Sequence, residues 1–97
     1  MTNAVESDAV LAFIRDNQRR VLSEAIAQIA VATPDSLPQV VHAAYGSVGS
    51  YQLPEAHDEI ARLAAALKDP SLSASDVDAV RTRTLDALRA REASLAP

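Results

Sequence analysis

The sequence predicts an all-α fold, an antiparallel up-down bundle of four helices forming one domain over residues 1-97. Three observations carry that prediction. Apolar residues make up 48% of the chain and 20 of them are alanine, the best helix former and a weak strand former. Glycine occurs only twice, as Gly46 and Gly49, and aromatic residues only three times, as Phe13, Tyr45 and Tyr51. Prolines separate stretches in which apolar residues recur every three to four positions. Because so many of the apolar side chains are methyl groups, the core is expected to be slim, with no second layer.

The first helix is expected over residues 8-32, capped by Ser7 or Asp8. Its apolar stripe reads Val10, Leu11, Ile14, Val21, Leu22, Ala25, Ile26 and Ile29. The polar patch from Arg15 to Arg20 marks a bend or an exposed middle. Thr33-Pro34-Asp35 ends the helix, since a residue before proline is pushed out of helical geometry. The second helix, residues 36-51, tolerates Pro38 in its first turn and turns Leu37, Val40, Val41, Ala44, Val48 and Tyr51 to one side. The third, residues 54-68, opens on Pro54, carries Ala56, Ile60, Leu63 and Leu67 inward, and stops at Lys68-Asp69-Pro70. The fourth, residues 75-92, opens at Ser73 or Ser75. There Ser75-Asp76-Val77-Asp78 has the form of a capping box with aspartate in place of glutamate. Its inward residues are Val77, Val80, Thr84, Leu85 and Leu88. Short connections make consecutive helices antiparallel neighbours.

Charge and patterning exclude several classes of function. A net charge of −4 with acidic residues spread along the chain argues against nucleic-acid binding, which needs a basic stripe. The weakly polar stretch from Ala25 to Thr33 contains Gln28 and is too short to span a bilayer. Glu6 and Asp8 stand where a signal peptide would carry basic and apolar residues. The expectation is a monomeric cytoplasmic protein. Absence of cysteine removes disulfides, thiolate metal sites and cysteine nucleophiles.

One helix face stands out. At about 100° per residue, His42, Tyr45, Gly46 and Gly49 form a second stripe on the second helix, roughly opposite the core. Each glycine in a helix costs about 1 kcal/mol relative to alanine. A chain this rich in alanine that still places glycine four and seven residues after a histidine implies a steric need. Without Cβ, the turns beside the imidazole admit the close approach of another backbone or of a phosphoryl group; close helix–helix packing at Gly46 and Gly49, or fraying toward Pro54, is the competing explanation.

The run from His42 to Glu55, HAAYGSVGSYQLPE, resembles the signature of histidine-containing phosphotransfer (HPt) domains. That family's pattern is a histidine, usually lysine three residues on, glycine at four and a small residue at five. Glycine often follows at seven and at ten, and then leucine or phenylalanine leads into the next amphipathic helix. His42, Gly46, Ser47, Gly49 and Leu53 match, and so does the helix from Glu55 to Lys68. The specific part covers about a dozen residues, and the helix pattern covers Asp8 to Leu67. Tyr45 and Gln52 depart from it, standing where lysine and glycine are usual. The lost lysine removes a cation that Arg15, Arg19 or Arg20 is expected to replace. Counting back from the turn at Leu53 puts Ala61 and Ala64 at the height of His42, and neither can hydrogen-bond the ring.

The resemblance implies a function. His42 would accept a phosphoryl group from the aspartyl phosphate of a receiver domain, or of a hybrid histidine kinase, and pass it to another receiver. Tyr45, Gly46, Ser47, Gly49 and Ser50 would form the docking surface. A neutral imidazole nitrogen is a competent nucleophile near neutral pH, because free imidazole titrates near ~6.5. Phosphoryl transfer needs mainly positioning and charge. The resemblance assigns Mg²⁺ to the receiver, so no cofactor is expected on this chain, and no Gly-rich phosphate loop is present.

Other residues carry less. An axial offset of about 10 Å between His42 and His57, at about 1.5 Å per residue, forbids a shared metal ion and leaves His57 as a surface residue. Arg81, Arg83, Arg89 and Arg91 alternate with Asp78, Asp86 and Glu92, the pattern of a solvated face. Ser47 and Ser50 lack the acidic partner of a hydrolase. The alternative to a relay is a non-catalytic adaptor, or a dimerising module, that docks a signalling partner without being phosphorylated.

Overall fold

The computed structural model describes residues 3–95, with side chains from Asp8 onward, so the Ser7 side chain and the four terminal residues lie outside the described ones. Four helices form: α1 (Asn3–Val31), α2 (Leu37–Ser50), α3 (Pro54–Leu67) and α4 (Ala74–Ser94). Each packs against the next, and α4 closes the ring on α1, giving the predicted all-α four-helix bundle. No strand occurs among the described residues.

The core is made by one stripe from each helix. Leu22 and Ile29 of α1, Val41 and Val48 of α2, Ile60 and Leu63 of α3, and Leu88 of α4 are almost completely buried. Ala25, Ala44 and Ala56 are buried in the same cluster. Thr84 joins this core because its hydroxyl donates to the Val80 carbonyl at 2.9 Å and so is not stranded.

Four details correct the sequence reading. First, α1 begins at Asn3, so neither Ser7 nor Asp8 caps its start, and Arg15 to Arg20 form an exposed to half-buried middle without a bend. Gln18 there donates to the Tyr51 carbonyl at 3.0 Å. Second, Val10, Leu11 and Ile14 are exposed, and Tyr51 is likewise outside the core. Third, the capping box starts at Ser73, two residues earlier than Ser75. Ser73 Oγ accepts from the Asp76 N–H at 3.1 Å, and the Asp76 carboxylate accepts from the Ser73 N–H at 3.0 Å. Fourth, Arg81 is not part of a solvated face. It is half-buried and donates to the Ala32 carbonyl at 2.8 Å, tying α4 to the end of α1. Arg91 pairs with Glu55 across α3 and α4, and Arg89 lies 3.8 Å from Asp86.

The capping box makes stability depend on pH. The Ser73 backbone N–H, and then its hydroxyl, hold the Asp76 carboxyl below the usual carboxylate range. A lowered native pKa stabilises the fold above the unfolded value, near ~3.9. That contribution is lost as the pH falls through the native value. Thermal melts should therefore show Asp76→Asn less stable than the wild type at neutral pH, with the difference closing as the pH drops below the carboxylate range. A difference that stays constant with pH would show that the carboxylate charge is irrelevant to the cap.

Candidate functional site

The sequence of α2 divides its surface in two. Leu37, Val41, Ala44 and Val48 are buried, while His42, Tyr45, Gly46, Ser47, Gly49 and Ser50 are all exposed. The stripe of His42, Tyr45 and Gly49 does not stand opposite the core as the helical wheel suggests: Tyr45 and Gly49 meet His57 of α3, and His42 lies at the seam with that helix. There it lines a groove of about 570 Å³ with Val41 and Tyr45 on its own helix, Ala61, Ala64 and Ala65 on α3, and Lys68 at the C-cap of α3. The antiparallel count that set Ala61 and Ala64 beside His42 thus holds. Methyl groups form much of the far wall, and the His42 side chain is exposed beside it.

The two glycines have different surroundings. A Cβ on Gly46 would meet nothing within 4 Å, so this turn of α2 is open to solvent one turn after His42. A Cβ on Gly49 would lie 3.0 Å from His57 Nε2. His57 is half-buried and its ring stacks on Tyr45, with centroids 3.8 Å apart and planes 25° from parallel. The steric need at Gly49 therefore comes from α3, and His57 is a packed residue instead of a free surface one. Its signal was available in the sequence only through the pairing of α2 with α3, since a helical wheel says nothing of the neighbour.

These contacts predict opposite consequences for two similar substitutions. Gly46→Ala should raise stability by up to ~1 kcal/mol, the helix-propensity gain, since its methyl group meets only solvent. Gly49→Ala should gain less or lose, because the methyl group must push His57 off Tyr45. In a His57→Ala background the two substitutions should become equivalent. Chemical denaturation of the four variants measures this, and an unchanged difference in that background would rule out His57 as the cause.

The remaining predicted residues are dispersed around the helix. Ser50 Oγ donates to the Gly46 carbonyl at 3.0 Å, so its hydroxyl is tied to its own helix. Ser47, five residues after His42, stands about 140° around the helix from it and away from the groove. Arg15, Arg19 and Arg20 do not line the groove: α1 packs against α2 and α4, and Arg20 bonds Asn17 and Glu24. The cation that does line it is Lys68, at the end of α3. Extending the antiparallel count past Ala64 by one turn leads to it.

Gln52, ten residues after His42, has φ 57°. It lies in the left-handed region that side chains other than glycine enter at a cost of about 1 kcal/mol. The backbone thus adopts, at the place where the HPt pattern often has glycine, the conformation that glycine favours. From there Leu53 leads into Pro54, the first residue of α3.

No cluster of three or more histidine, aspartate or glutamate side chains suited to a metal ion occurs among the described residues. No helix there is long and apolar enough to cross a membrane. No family model, curated protein or solved structure matches the chain.

Proposed function

We propose that this chain is an HPt-like phosphorelay protein of the cytoplasm, in which His42 carries a phosphoryl group between aspartates of receiver domains. The observation that carries the reading is the exposed imidazole of His42 on α2 of a four-helix bundle, with open space one turn on at Gly46. The left-handed backbone at Gln52 gives it independent support.

In the transfer step a neutral nitrogen of His42 attacks phosphorus of the receiver's aspartyl phosphate. The P–N bond forms as the P–O bond to the carboxylate breaks, and the aspartate leaves as its carboxylate. The ring's other nitrogen keeps its proton through the step. Onward transfer reverses these steps on a second receiver. This chain contributes the nucleophile and a docking face, and Lys68 is positioned to offset phosphoryl charge in the groove. It acts as a relay intermediate and not as a self-contained catalyst.

The test is incubation with a receiver domain carrying labelled phosphate in the presence of Mg²⁺. The expected product is acid-labile, base-stable label on this chain that is absent from His42→Gln. A chain that binds phosphorylated receivers yet takes no label would be an adaptor, and the relay would be wrong.

A further inference from the structure

The long helix α1 raises a separate question. It has 29 residues where α2 and α3 have 14 each, and the molecule measures 59 Å along its long axis against 20 and 19 Å across. The hydrogen bond from Gln18 to the Tyr51 carbonyl marks the base of the bundle, Phe13, Ile14 and Asn17 lie beside the end of α2, and the residues before them project beyond it. That projection is apolar on one side. Val10 is 57% exposed, Leu11 58%, Phe13 69% and Ile14 46%. Val10, Leu11 and Ile14 continue the stripe of Val21, Leu22 and Ala25, which the bundle covers further along. A hollow of about 240 Å³ against Phe13, Ile14 and Tyr51 extends the apolar surface onto the base of the bundle.

The charges beside this stripe identify what covers it. Asp8 and Arg15 are seven residues apart, two turns, and so share one flank of the stripe. Neither makes an ion pair among the described residues. We infer that residues 8–16 of α1 pair antiparallel with the same segment of a second copy of this chain. With the two-fold axis between Leu11 and Ala12, Asp8 lies opposite Arg15 of the second copy, and Arg15 opposite its Asp8. A parallel pair in register would instead bring like charges level. The antiparallel arrangement is isologous, closes on itself, and leaves the two bundles at opposite ends. It covers Val10, Leu11, Phe13 and Ile14 of both copies and does not involve His42.

Sedimentation equilibrium over a range of concentrations tests the pairing. The mass should rise from 10.3 kDa towards twice that value. Asp8→Arg and Arg15→Asp each set like charges opposite one another twice, and each should weaken the dimer by at least ~10-fold. An equimolar mixture of the two variants restores both attractive pairs, and should dimerise as tightly as the wild type. Circular dichroism should show every variant helical. A wild-type mass of 10.3 kDa at all concentrations would overturn the inference and leave the face to a different partner. A mixture no tighter than its separate components would overturn it as well.

Discussion

Leu63→Ala should lower the unfolding free energy by ~2–5 kcal/mol, the range for deleting a buried leucine side chain. Leu63 has no exposed surface, and the core around it is a single layer. A domain of this size has about 5–15 kcal/mol in total, and each kcal/mol shifts Tm by about 4–8 °C. The melting temperature should therefore fall by at least ~8 °C. Val31→Ala, on a side chain 81% exposed, should stay within ~0.5 kcal/mol of the wild type. Equal losses from the two substitutions would mean that the core is not where the bundle places it.

The second large effect concerns transfer. His42→Gln keeps a polar side chain of similar size on an exposed helix position but has no nucleophilic ring nitrogen. It should leave the melting curve nearly unchanged and abolish phosphorylation altogether. Gly46→Leu fills the open turn beside His42 while keeping a strong helix former. It should retain the fold and block transfer by obstructing the receiver's approach. Transfer surviving in Gly46→Leu would remove the steric explanation of that glycine without touching the role of His42.

Much of this architecture is legible in the sequence because helices announce themselves by a 3.6-residue period and prolines mark where they stop. The stripes of α2, α3 and α4 are buried largely as that period requires. The same period misleads in α1, where Val10, Leu11 and Ile14 look identical to the core residues that follow them. Periodicity shows that a face is apolar, and only the lengths of the other helices decide whether anything in the chain covers it. The capping box shows a similar limit. Ser73 and Ser75 both precede acidic residues at capping distance, and the choice between them depends on where the chain leaves the turn after Pro70.

The site divides in the same way. That His42 and Gly46 share an open face follows from positions within one helix. That Gly49 makes room for His57, and that Lys68 rather than an arginine of α1 borders the groove, depends on how two helices meet. Gln52 is a third case. Its left-handed backbone comes from the turn between α2 and α3, and its side chain gives no sign of it.

Phosphorylation of the two histidine variants side by side tests the central claim most directly. Wild type, His42→Gln and His57→Gln would each be incubated with a phosphorylated receiver domain and Mg²⁺, and base-stable label on this chain counted. Label on the wild type and on His57→Gln, with none on His42→Gln, is the result expected of a relay through His42. Label that persists in His42→Gln, or a wild type that no phosphorylated receiver labels, would contradict it.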